Sequence, residues 1–318
     1  MIMDMNSLFS AFEEAKIEKK TFLTLMRERF NAILEYASYL KDNDACKCIE
    51  ITKDNIILTN SLGLKIPFDF QQTMCRAESM YYLKGDGEDS CIRFIASLLK
   101  PGYVFFDIGA NVGLFSLAVN SLCNGGIFYD FEPLPPTFEK LNETIKINNI
   151  SRNTIKPFNI GFSDKCGSFD FYYPGNSEAA SMQPITDAFF IKNHSEEQPK
   201  FKCIVSKLDF FCNEQNIQKI DFIKIDVEGN EKFVLEGGKD SLEFFKPMIY
   251  CEMLRKHAKR FGYHPNEIIL MMKELKYECF YYDNEKLHLF EKMDESTTYT
   301  NFFFFHKEKH LDIIKKFI

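Results

Sequence analysis

No apolar run in this chain of 318 residues approaches the roughly 20 needed to cross a bilayer, so no integral membrane segment is expected. Basic residues are in the minority: 39 Lys and Arg stand against 46 Asp and Glu, a formal charge of −7. With neither a basic tail nor an aromatic–basic stripe, no nucleic acid or anionic membrane is expected as a partner. The opening MIMDMNSLFSAFEEAK has no basic n-region and no apolar core, which speaks against a signal peptide and for a cytoplasmic chain. Clustered cysteines are scarce too. Most of the ten sit singly in apolar segments (Cys91, Cys123, Cys203, Cys251), and Cys46 with Cys48 form a lone close pair. Neither a disulfide framework nor a zinc site follows from that pattern. The six histidines form no cluster in sequence; His194 lies in a polar loop, and His257 and His264 flank a helix start.

What is present is a globular composition, 45% hydrophobic and 27% charged. Residues 6–42 carry apolar positions at helical spacing, and CIEITKDNIILT (48–59) reads as a hairpin turning at Lys53-Asp54-Asn55. Residues 1–80 therefore form an N-terminal α/β addition, a small unit or a dimerising arm, with its helix the candidate contact for a homo-oligomer. From 81 to 318 the rhythm changes. Near its start GDGEDS offers a glycine turn and an acidic helix start at Glu88-Asp89. Strands are predicted at 103–107, 126–131, 155–160, 220–226 and 247–252, separated by helices at 111–123, 135–148, 206–216, 230–245 and 264–276. That alternation predicts βαβ units and a parallel sheet covered on both faces. The segments 277–283 and 301–306 have no long helix between them and are expected to pair as an antiparallel edge.

The first strand runs into FFDIGANVGLF, with Asp107, Gly109 and Gly113 in a turn that opens a helix. Such a turn lets backbone approach a ligand and presents helix N-terminal N–H groups. A dinucleotide fingerprint needs a second glycine where Asn111 stands, and a phosphate-cradling loop needs Gly-Lys-Ser/Thr; both are missing. An acidic residue at the strand end suits an ammonium better than a polyanion. Glu132 ends the second strand, where a carboxylate can accept both hydroxyls of a ribose. A ribose partner and an ammonium partner without a phosphate site describe S-adenosylmethionine (SAM). A structural strand–turn–helix joint that binds nothing is the plain alternative.

These residues resemble the class I SAM-dependent methyltransferases. LDFFCNEQNIQKIDFIKIDVEGNEKFVLEGG, from Leu208 to Gly238, is more specifically similar to the hallmark segment of FkbM-type enzymes, and KPG, DIGANVG, FEP and NIGFSD also fit that family. The likeness covers about 85–306 and leaves out 1–70. It implies an α/β, Rossmann-like sheet of seven strands, mostly parallel with an antiparallel last strand. It also implies O-methylation of a sugar or another hydroxylated metabolite, here a surface polysaccharide or its precursor. A protein, lipid or small-metabolite acceptor, or a non-catalytic module keeping the SAM fold, remain the alternatives.

The cofactor positions expected are Asp107, Gly109, Ala110, Asn111, Gly113, Glu132 and Asp226, with Ser163 and Asp164 at the adenine, as the resemblance implies. Methyl transfer needs an aligned nucleophile that loses its proton. Asp226 and Glu228 leave the fourth strand at the carboxyl edge of the sheet and are the catalytic candidates, Asp226 as base and Glu228 as anchor. Glu228 could instead cap the next helix. Lys224, Glu252 and His257 are weaker substrate candidates, His257 being the reserve base. Glu252 with Asp226 could hold a divalent ion, but two carboxylates without a histidine are too few to assign a metal. The segment 172–201 interrupts the alternation, and its Asn176, Ser177 and Ser181 could close over a sugar.

Overall fold

The computed structural model describes residues 4–41, 46–53, 56–68, 89–123, 125–151, 153–173, 180–184 and 199–318. The expectations placed at Asp54 and Asn55, at Gly85 to Glu88, at Asn176, Ser177 and His194, and at the 80/81 boundary lie outside these residues. Among the described residues, no helix is long and apolar enough to cross a membrane.

The chain opens with α1 (Met5–Glu13) and α2 (Lys19–Lys41), two helices where the periodicity suggested one. Phe12 stacks on Phe22 at 4.4 Å and folds the first helix back on the second. An antiparallel meander follows: β1 (Cys46–Ile51), β2 (Ile56–Asn60) and β3 (Lys65–Phe68). It does not stand apart from the rest. Leu58 and Ile66 pack against Val112 and Leu114 of the glycine turn, and Asn148 bonds the backbone of Lys65 through both ends of its amide.

Next come α3 (Asp89–Leu98), β4 (Val104–Ile108), α4 (Leu114–Leu122), β5 (Ile127–Phe131), α5 (Pro135–Ile147) and β6 (Ile155–Phe158). A small mixed sheet follows, β7 (Gly161–Phe162), β8 (Gly167–Tyr172) and β9 (Lys200–Ser206), which brackets the long insertion and was not foreseen. The chain then alternates α6 (Leu208–Glu214), β10 (Phe222–Ile225), α7 (Glu231–Glu236), α8 (Lys239–Phe245), β11 (Met248–Glu252), α9 (Arg255–Arg260) and α10 (Asn266–Glu274). It ends on β12 (Tyr277–Asp283), β13 (Lys286–Leu289), β14 (Asn301–His306) and α11 (Leu311–Phe317). The predicted helix at 230–245 is broken in two at Gly237-Gly238, where a side chain at either glycine would strike Ser163 or Leu208.

The central sheet has eight strands in the order β13-β12-β14-β11-β10-β4-β5-β6. β4, β5, β6, β10 and β11 are parallel, and β14 runs antiparallel between β11 and β12. The expected pairing of 277–283 with 301–306 is present, but 301–306 is an inner strand. The edge is β13, an eighth strand that hairpins from β12. Successive residues feed opposite faces: Phe106, Ile223, Ile249 and Phe304 join one core, and Phe105, Phe222, Met248 and Phe303 the other. Because β14 is internal, Phe302 to Phe305 are all buried.

Candidate active site

The chain leaves β4 outward to β5 and β6, then returns to β10 on the other side of β4. Open α/β sheets hold ligands at such a switch point, outside the carboxyl ends of the strands. A cavity of about 650 Å³ opens there, a size typical of small-molecule sites.

Its floor is the glycine turn. The Phe131 carbonyl accepts from the N–H groups of Gly109 and Ala110, each at 3.0 Å, which folds the turn onto the neighbouring strand. Gly109 has φ +82°, and a Cβ there would overlap the backbone carbonyl of Asp226, so the turn after β4 and the turn after β10 touch only because residue 109 has no side chain. Gly113, at φ +85°, starts α4 and would run into Leu141 with any side chain. Asn111 sits at φ +51°, a region asparagine tolerates, and its N–H donates to Glu132 Oε2 at 3.0 Å. Leu134 N–H donates to the other Glu132 oxygen at 2.9 Å. Burial pushes Glu132 up to about 7 even against these two donors.

Beneath the turn lies a row of charge across three strands. Lys224, Asp107 and Asp130 are register partners on β10, β4 and β5, all facing the same side. Lys224 Nζ is 3.2 Å from Asp107 and 3.5 Å from Asp226, and donates to the Gly109 carbonyl at 2.8 Å. Ser116 Oγ, from α4, lies 2.9 Å from Asp107 Oδ2 and 2.7 Å from Asp130 Oδ1. One hydroxyl proton cannot serve both carboxylates. Burial and the charge of Asp107 push Asp130 well above the usual carboxylate range.

The opposite wall is acidic. Glu228, held at φ +59°, directs its carboxylate at His257 Nδ1, 3.1 Å away, and at Arg260, 3.6 Å away. It does not cap the helix that follows. Glu231, the first residue of that helix, instead ties down the turn before it, accepting from the N–H groups of Val227 and Gly229 and from the Tyr263 hydroxyl. Glu252 ends β11 with its oxygen 3.8 Å from the same His257 nitrogen. Burial and the neighbouring Asp226 push both Glu228 and Glu252 well up, whereas burial and Arg260 lower His257 to about 3. Asp226 is the most open of the three carboxylates, with 42% of its side chain exposed against about 20% for Glu228 and Glu252.

Of the residues singled out from sequence, Gly109, Ala110, Asn111, Glu132, Lys224, Asp226, Glu228 and Glu252 line the cavity. Asp107, Gly113, Ser163, Asp164 and His257 do not. Asp107 is completely buried under Lys224 and Ser116, so it cannot reach a ligand's ammonium directly. Ser163 is held by its neighbours, its N–H donating to the Ser206 carbonyl and its hydroxyl to Asp164 at 3.1 Å, and Gly161 and Phe162 line the cavity instead. Glu252 is brought together with Glu228 and His257 rather than with Asp226 alone, the donor atoms of the three lying within 4.8 Å of one another. Sequence reasoning missed Ser116, Asp130, Glu231 and Arg260, and the apolar wall of Leu134, Phe162, Phe171 and Met182. Asp130, an acidic residue inside the apolar run IFYDF, was the one visible signal among them.

Residues 107–279, more than half of the 318, match the family profile described as Methyltransferase FkbM domain. The chain is 30% identical over 195 residues to the AMB antimetabolite synthetase AmbE of Pseudomonas aeruginosa, covering 52% of this chain and 9% of that one. It is 32% identical over 158 residues to the 2-O-methyltransferase NoeI of Sinorhizobium fredii (47% and 63% covered). With the hexuronic acid methyltransferase AglP of Haloferax volcanii it shares 26% identity over 190 residues (60% and 70% covered). The chain thus spans less than two thirds of the length of AmbE and of NoeI.

Proposed function

The chain belongs to the FkbM methyltransferase family, and from that premise we propose that it transfers a methyl group from SAM to a hydroxyl oxygen, the acceptor being a sugar of a surface polysaccharide or its precursor. The observation that carries the reading is the contact of Gly109 with Asp226, which places a ligand-approachable turn and an open carboxylate on one cavity.

The residues divide the cavity between two ligands. Glu132 takes the ribose hydroxyls with the lone pairs its two backbone donors leave free. The apolar wall of Leu134, Phe162, Phe171 and Met182 receives the adenine. Gly109, Ala110 and Asn111 line the path of the methionyl end. Asp107 acts from below, by holding Lys224. When bound, SAM supplies an electrophilic methyl carbon and departs as a neutral thioether. Asp226 faces the acceptor and takes its hydroxyl proton as the new C–O bond forms, while Glu228 and Glu252 hold the acceptor's other hydroxyls. The sugar acceptor is supported by AglP, a hexuronic acid methyltransferase by name, and the oxygen acceptor by NoeI, a 2-O-methyltransferase by name.

Calorimetry with SAM, S-adenosylhomocysteine and NAD tests the donor half. Binding of the first two, weakened by about 1–3 kcal/mol in Glu132→Ala through loss of a charge-assisted bond, is expected. Binding of NAD alone would overturn it.

A further inference from the structure

Glu228, Glu252 and His257 reach one point from three elements: the turn after β10, the end of β11 and α9. His257 Nδ1 is 3.1 Å from Glu228 Oε2 and 3.8 Å from Glu252 Oε2, and the three donor atoms all lie within 4.8 Å of one another. Around an octahedral ion with ligand bonds of about 2.1 Å, neighbouring donors stand about 3.0 Å apart and opposite donors about 4.2 Å. The two spacings from His257 Nδ1, 3.1 and 3.8 Å, fall between those limits.

Two further observations point to an ion. The His257 Nδ1 atom is enclosed, yet among the described residues it has no hydrogen-bond partner of acceptable geometry, although two carboxylate oxygens surround it. A buried nitrogen in that position normally finds a partner. The charge is also unbalanced. Lys224 is shared with the buried Asp107, and Asp226, Glu228, Glu252 and the buried Glu231 outnumber the remaining nearby cations, Arg260 and Lys256.

We propose that Glu228, Glu252 and His257 bind a single divalent cation of the manganese class. Two carboxylate oxygens and one imidazole nitrogen suit a metal between the all-oxygen and the nitrogen-rich types. Glu228 and Glu252 line the cavity while His257 stands behind them, so the open coordination positions face the cavity. Those positions take two neighbouring hydroxyls of the acceptor. The ion makes the bound hydroxyl more acidic, and Asp226 receives its proton. This second part rests on the methyl-transfer reading; the cation site itself does not.

Titration of the full chain with MnCl2 alone, followed by electron paramagnetic resonance without SAM or acceptor, tests the site. One ion per chain is expected, with affinity at least tenfold weaker in both His257→Ala and Glu252→Gln and unchanged in the control Asp164→Asn. Circular dichroism of each variant guards against loss of fold, and anomalous scattering from Mn2+-soaked crystals should place one peak among the three donors. No stoichiometric Mn2+ in the unaltered chain, or equal affinity in both folded variants, would overturn the site. Methyl transfer that is indifferent to chelator and to added Mn2+ would overturn the hydroxyl-binding role, and leave the cation titration to be judged alone.

Discussion

Lys224 and Asp107 are partners in register on adjacent parallel strands, and their side chains meet 3.2 Å apart beneath the glycine turn. The pair is buried, and the same ammonium holds the Gly109 carbonyl and faces Asp226. One lysine thus ties the turn after β4 to the turn after β10. Removing it strands a buried carboxylate, which typically costs about 3–5 kcal/mol. Lys224→Met should show that loss in urea unfolding, and adding Asp107→Asn should recover part of it. A loss below about 1 kcal/mol would mean that the pair is not acting as a buried ion pair.

Glu132 gives the protein a pH dependence of known sign. Burial raises it from 4.5 to about 7 in the folded chain. Its favourable contribution to stability is full below the unfolded value and is lost as pH rises through about 7, a change of about 3 kcal/mol. Glu132→Gln should therefore flatten the fall in stability between pH 5 and 8, measured by denaturant titration. With the proposed ribose contact made by ionised Glu132, SAM affinity of the unaltered chain should rise through about pH 7 and level above it. An affinity independent of pH would separate Glu132 from the ribose.

The turn itself cannot accept a methyl group. In Gly109→Ala the Cβ would overlap the Asp226 carbonyl at a backbone angle that disfavours L residues. Strain of this kind costs about 1–3 kcal/mol before any clash is relieved. The variant should lose SAM binding in calorimetry by more than tenfold. Unchanged binding would show that the two turns move independently.

Much of this was legible because the central strands are short apolar runs separated by helices, a pattern dictated by burial on both faces. DIGANVG and VEG announced themselves by glycines and carboxylates at strand ends. What was hidden depends on contacts between distant segments. The four consecutive phenylalanines of NFFFFH mark a strand buried on both faces, but nothing local names its neighbours, and β14 inserts between β11 and β12. The resemblance puts the adenine at Ser163 and Asp164, after the third strand; here β6 ends at Phe158, and Gly161 and Phe162, which pair into a separate sheet, line the cavity in their place. His257 stood out as five residues beyond Glu252, but only the fold of α9 turns it toward Glu228.

The N-terminal meander is tied to the site by packing. Ile66 is fully buried against Val112 and Leu114. Ile66→Ala should cost about 2–5 kcal/mol through the cavity it leaves. It should also weaken SAM binding, because the turn loses its backing. Full SAM affinity at reduced stability would confine the meander to a structural part.

The central claim is a methyl group moving from SAM to oxygen in this cavity. Its most direct measurement is incubation with methyl-13C SAM and an extract of hydroxylated glycans and their precursors, followed by mass spectrometry and NMR of the labelled product. The expected result is one labelled methyl ether on a sugar oxygen. In Asp226→Asn, turnover should fall at least a hundredfold while SAM affinity changes less than threefold, because the proposed work of Asp226 is on the acceptor proton. Label on a protein nitrogen or on RNA, or full turnover in Asp226→Asn, would contradict it.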